Sequence, residues 1–142
     1  MTEDLHRAKE ILSAEGCTCV FVCGDVVLKR YERGIIPLVS LCERGERLMG
    51  YSAADKIVGR AAAMLYLILG VKELYAEVLS EGAKEVLEVG GLNFSYAELT
   101  SRIVNRRGTG DCPMEEAVRA TDDPDEAFIK LKCKLLEMGN GM

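Results

Sequence analysis

The chain has 142 residues, which suits one domain built around one core. Hydrophobic residues make up 49% and charged residues 29%, a globular balance that excludes a disordered chain. Eighteen basic against 23 acidic residues leave a net charge of -5, which argues against non-specific nucleic-acid binding while leaving room for a local basic pocket.

The first segment, MTEDLHRAKEIL, is charged from residue 3 onward and carries no apolar stretch of the kind a secretory signal needs. Residues 3–14 read as an amphipathic helix, with Leu5, Ala8, Ile11 and Leu12 at helical spacing and Gly16 as its stop. Cys17 to Cys23 is rich in β-forming residues. Gly24-Asp25 is a two-residue hairpin signal, and Val26 to Tyr31 runs back. The first strand of this hairpin is apolar on both faces, so it belongs in the sheet interior with helices on either side.

Residues 35–43 suggest a short helix with Pro37 in its first turn, and Leu48 to Ala53 a short strand. From Asp55, DKIVGRAAAMLYLILG reads as a helix, almost wholly apolar after Arg60 and therefore buried. Gly59 and Ala63, four apart, would give it a small-residue face. Its apolar stretch, Ala61 to Val71, is shorter than the roughly 20 residues that span a bilayer. A soluble, cytoplasmic protein with reduced thiols is the expectation.

KELYAEVLS (72–80) reads as a strand and EGAKEVLEVGG (81–91) as a helix ended by its glycines. Residues 92–104 are ambiguous between strand and helix. CPMEEAVRA opens a further helix, and Asp123-Pro124 cap the last one, which ends in a three-residue tail expected to fray. Strands alternating with helices after a hairpin predict one α/β domain over residues 1–142. About five strands form a mixed sheet with one antiparallel side.

Six cysteines raise the question of zinc, yet no C-x-x-C occurs and the single histidine is His6. Cys17 and Cys19, two apart on a strand, are separated by about 6.8 Å, whereas sulfurs on tetrahedral zinc sit about 3.8 Å apart. Cys17, Cys19, Cys23 and Cys133 are therefore read as small core residues. No metal and no cofactor is expected.

NRRGTGDCPMEEAV, residues 105–118, can be read in two ways. With Cys112 as N-cap, Pro113 takes the first helical position and Glu115 can reach back to the cap backbone, a helix start without further function. A thiol at a helix N-terminus near Arg106 and Arg107 also has its thiolate stabilised, which marks Cys112 as a candidate nucleophile, although no histidine stands nearby to serve as base. RRGTG before a helix is compatible with an anion site, since glycines let amides turn inward. It lacks the phosphate-loop spacing. Asp55 suits the N-cap of its helix, and Lys56 and Arg60, four apart, could bind an anion or reach out to solvent.

Three segments, ADKIVGRAAAMLYL, LYAEVLSEGAKEVL and IVNRRGTGDCPMEEAV, in this order, resemble a small prokaryotic domain family of unknown function with a cytidine-deaminase-like fold. The resemblance covers about residues 5–120 and implies a three-layer α/β/α sandwich. A zinc deaminase carries His/Cys-Ala-Glu at one helix start and Pro-Cys-x-x-Cys at the next. Here those starts read Ala54-Asp55-Lys56-Ile57 and Ser80-Glu81-Gly82-Ala83, so the resemblance does not extend to deamination. It implies instead that Asp55, Lys56, Ser80 and Glu81 lie together at two helix N-termini. Arg60 would be beside them, and Asn105, Arg106, Thr109, Cys112 and Glu115 are expected to join from the loop.

Three functional readings follow. The first is a protein binding a small anionic or nucleotide-like ligand on a zinc-less deaminase-like fold. The second is an enzyme with Cys112 or Asp55 as nucleophile. The third is an interaction module whose polar motifs are caps and turns. A homo-oligomer is compatible with all three, and neither a nucleic acid nor a membrane is an expected partner.

Overall fold

The computed structural model describes residues 2–104, 108 and 110–139. The expected fraying tail at 140–142 lies outside them. Helix α1 (Glu3–Glu15) starts where the Thr2 hydroxyl accepts the Leu5 amide and stops at Gly16. It leads into the hairpin β1 (Cys19–Cys23) and β2 (Val26–Arg30), turned by Gly24-Asp25. Gly24 has φ 58°, which a side chain would oppose, as the first position of a two-residue turn of the II′ kind demands.

After α2 (Ile36–Glu43) come β3 (Ser52–Val58), α3 (Arg60–Leu69), β4 (Glu73–Ser80), α4 (Glu81–Gly90) and β5 (Asn93–Thr100). The short α5 (Pro113–Ala117) and α6 (Pro124–Gly139) close the chain. The ambiguous segment after residue 92 is thus a strand. The sheet order is β2-β1-β3-β4-β5: β1 is antiparallel to both β2 and β3, and β3, β4 and β5 are parallel. This is the expected five-stranded mixed sheet opening on a hairpin.

Helices pack on both faces. Ala8 and Leu12 of α1 cover Val20, Val22 and Ala54 on one side. On the other, Phe21, Ala53, Leu74 and Ala76 meet apolar residues of α2, α3, α4 and α6. The apolar-on-both-faces reading of β1 holds: Cys19 and Phe21 enter the larger core, Val20 and Val22 the smaller. Helix α3 is buried along one run from Ala61 to Tyr66, as its composition requires. At the far end of α4, a Cβ on Gly90 would stand 2.6 Å from Leu67 Cδ2, so this glycine lets α4 lie close against α3.

Several expectations are corrected. The helix expected from Asp55 begins only at Arg60, and the strand expected over Leu48 to Ala53 runs from Ser52 to Val58. Two neighbours claim the segment: Asp55 aligns with Cys19 of β1 and with Ala76 of β4, and Gly59 in extended conformation separates strand from helix. Lys56 and Arg60 therefore belong to different elements and share no helix face. Cys133 lies exposed on α6 rather than in the core, while Cys17 and Cys19 are buried and Cys23 is half-buried.

Asp55 caps no helix. Its carboxylate is buried and accepts the Tyr66 hydroxyl at 2.6 Å and the Ile57 amide at 3.3 Å. Burial pushes its pKa from 3.8 up to about 7, against the pull of the Tyr66 and backbone hydrogen bonds. The folded chain holds a proton here that the unfolded chain releases above about pH 4. Stability from this group is therefore complete below the unfolded pKa and declines as pH rises towards the folded value, by about 1.4 kcal/mol per pH unit. Asp55→Asn removes the titration. In urea unfolding between about pH 4 and pH 7, the wild type should lose stability relative to this variant; parallel curves would show that Asp55 titrates normally.

Candidate functional site

The C-terminal ends of the parallel strands β3, β4 and β5 converge on one side of the molecule, where open α/β sheets place their ligand crevices. Each strand hands over there to the next element. Val58 leads through Gly59 into α3, and Ser80 is at once the last residue of β4 and the N-cap of α4. The Ser80 hydroxyl accepts the Ala83 amide at 3.0 Å, a local reason for α4 to start where it does. β5 ends at Thr100, and the chain returns through Asp111, which bridges to Val104, before α5.

The last turn of this return carries the decisive contact. Cys112 is the N-cap of α5 without using its side chain, and Pro113 and Glu115 take the first and third helical positions, as the spacing predicts. Glu115 does not reach back to its own cap. Its carboxylate crosses to α3, accepting the Arg60 amide at 2.7 Å and the Ala61 amide at 2.8 Å. Those are two of the unpaired donors that open a helix, and the positive end of the helix dipole favours an anion beside them. Burial pushes the Glu115 pKa up, while the Ala61 and Arg60 amides and the Arg60 charge pull it down.

Gly59 makes the approach feasible, since a Cβ there would overlap the Glu115 carboxylate. Arg60 returns the grip. Its guanidinium donates to the Val118 carbonyl at 3.1 Å, to the Thr121 carbonyl, and to Asp122 at 2.9 Å. The Asp122 carboxylate is 99% exposed, so the two carbonyls matter more than that ion pair.

Beside this clamp lies a cavity of about 270 Å³ lined by Arg60, Ser80, Gly82, Arg102, Asp111 and Arg119, with Ser101, Ile103 and Glu115 completing the wall. Asp111, 22% exposed, receives Arg102 at 3.0 Å and also Arg119. Two arginines thus share one carboxylate, which leaves a net positive charge at the wall. The arginines are 63% and 64% exposed, so their other donors can meet a ligand.

Of the residues singled out in the sequence, Arg60, Ser80 and Glu115 line this cavity. Glu81 is exposed at the first position of α4. Asp55 is enclosed in the core and Lys56 lies within β3, and neither lines the cavity. Cys112 is half-buried, packed against the larger core and outside the lining. Asn105, Arg106 and Thr109 fall outside the described residues. Arg102, Asp111, Arg119 and Gly82 were not singled out. Arg102 had a signal in its position just beyond a strand end, whereas Arg119, in the turn after α5, reaches the wall through Asp111 and had none. Among the described residues, no group of three or more His, Cys, Asp or Glu side chains is arranged to hold a metal ion.

The Glu115 clamp is open to a double-mutant cycle. Glu115→Ala should cost about 0.5–2 kcal/mol, the range for losing a helix cap. Gly59→Ala should cost a similar amount by displacing the same carboxylate, and the pair together should cost clearly less than the sum. Additive losses in chemical denaturation would show that Glu115 and Gly59 act separately.

No curated protein matches the chain. Among solved structures it is similar to the crystal structure, at 2.70 Å resolution, of a DUF1893 family protein (TM1506) from Thermotoga maritima. The two are 29% identical, with a TM-score of 0.87, over 94% of this chain and 92% of that one. The model of the TM1506 family, described as a domain of unknown function (DUF1893), matches residues 7–135. With that match over most of its length, the chain belongs to the DUF1893 family.

Proposed function

We propose that the chain binds a small anionic ligand, nucleotide-like in size, in the cavity beyond the C-terminal ends of β4 and β5. This reading keeps the zinc-less, deaminase-like interpretation of the fold that the sequence resemblance suggests. The supporting observation is the pair of Arg102 and Arg119. They flank α5 from either side, Arg102 after β5 and Arg119 in the turn after α5, converge on one carboxylate at the cavity wall, and carry one more positive charge than Asp111 offsets. Arginine offers a planar fork of donors suited to phosphate or carboxylate.

The remaining wall fits that role. Ser80 and Gly82 bring the first turn of α4 to the cavity, where the helix dipole favours negative charge. Gly82 adds no side chain between that turn and the bound group. Arg60 is held by backbone carbonyls and shapes the wall rather than reaching for the ligand. A volume near 270 Å³ suits a ligand no larger than a nucleoside monophosphate better than a dinucleotide. Asp55 is enclosed in the core, so its carboxylate does not serve the cavity as a nucleophile.

Thermal-shift titration with inorganic phosphate and with nucleoside monophosphates tests this. A bound ligand at about 100 times its Kd adds roughly 2.7 kcal/mol of stability. The shift should be lost in both Arg102→Ala and Arg119→Ala, which remove only exposed arginine heads. A shift that survives both substitutions, or no shift with any of these anions, would refute the proposal.

A further inference from the structure

The two edges of the sheet are built differently. β2 is five residues long and carries Lys29 and Arg30, with Lys29 paired to Glu15 of α1. Short, cationic edges of this kind resist pairing with another chain. β5 is eight residues long, NFSYAELT, with no lysine and no proline, and Glu98 is its one charge. It stays in register with β4 from Asn93 to Thr100, and among the described residues no strand pairs with its outer side.

Its side chains leave apolar surface in water. Tyr96 and Leu99 are each 38% exposed, and Phe94 stacks on Tyr96 with ring centroids 6.4 Å apart and planes 18° from parallel. An edge that is long, half apolar and free of lysine and proline is a template for a further strand.

We infer that β5 pairs antiparallel with β5 of a second copy, joining two five-stranded sheets into one of ten strands across a two-fold axis. A second copy fits better than an unrelated peptide, because each chain offers one unguarded edge. Pairing it with itself closes the assembly and leaves only the guarded β2 edges outside. A two-fold axis perpendicular to the sheet keeps each face on its own side, so opposed residues must share a face.

Charge disfavours a register centred on Ala97. Pairing Tyr96 with Tyr96 places Glu98 opposite Phe94 and keeps the two Glu98 carboxylates four positions apart, about 14 Å along the strands. Pairing Ala97 with Ala97 would halve that separation. In the favoured register the two Tyr96 rings meet at the axis, an aromatic cross-strand pair.

Light scattering at tens of micromolar protein should give twice the 15.6 kDa chain mass. Tyr96→Lys, which places a guard on the edge, should give the single-chain mass with an unchanged circular dichroism spectrum. Tyr96→Cys should form an intermolecular disulfide under mild oxidation that the wild type, with its six native thiols, does not form. Hydrogen exchange should show the outward-facing β5 amides, those not bonded to β4, protected in the wild type and not in Tyr96→Lys. A monomeric wild type, or a dimer that survives Tyr96→Lys without crosslinking at position 96, would overturn the inference.

Discussion

The carboxylate of Glu115 on the first amides of α3 is the contact on which the cavity end of the molecule depends. A helix that starts directly after a strand exposes donors that need an acceptor. Gly59, as N-cap, has no side chain to supply one, and the acceptor comes from a helix more than fifty residues later in the chain. The same glycine that cannot cap makes room for the residue that does. Because Arg60 answers by holding the carbonyls of Val118 and Thr121, α3 and the α5–α6 junction fix each other. The cavity wall inherits its shape from that mutual grip.

This arrangement divides the helix N-termini between two roles. The positive end of α3 is occupied by the protein's own anion, Glu115. The start of α4 uses only the Ser80 hydroxyl and opens towards the cavity through Gly82. Arg102, Asp111 and Arg119 stand across from it, with the charge balance tipped to the positive side. A net negative chain thus carries a local positive site, and nothing in the total charge of -5 reveals it.

Asp55 and Tyr66 show a second kind of constraint. A carboxylate in the core is costly unless its partners are complete. Here the Tyr66 hydroxyl joins the sheet to the middle of α3, and Phe21 packs against the same ring at 6.1 Å. Burial raises the Tyr66 pKa well above its ordinary value, so the hydroxyl stays a donor and the hydrogen bond is directional. The pair ties the central β3 to the helix that crosses over it.

Much of the fold was legible in the chain itself. The hairpin was readable because Gly24-Asp25 sits between two β-rich runs, the buried α3 because its composition is apolar all round, and the last helix because Asp123 and Pro124 mark its start. These are local signals, decided within a few residues. The stretch from Ser52 to Val58 misled because SAADKIV carries no strand alternation and Asp55 ahead of an apolar stretch has the form of a helix cap. Only pairing with β1 on one side and β4 on the other decides it, and that pairing moved Asp55 from a helix cap into the core. The candidate site follows the same division. The Cys112–Pro113 helix start was visible as a local cap, and the resemblance pointed to Ser80 at a helix N-terminus. The reach of Glu115 to α3 joins residues more than fifty positions apart, so it exists only once the sheet and its helices have been assembled, whereas Arg102 and Arg119 meet on Asp111 across nine and eight residues of the connection after β5, where no periodic pattern marks partners.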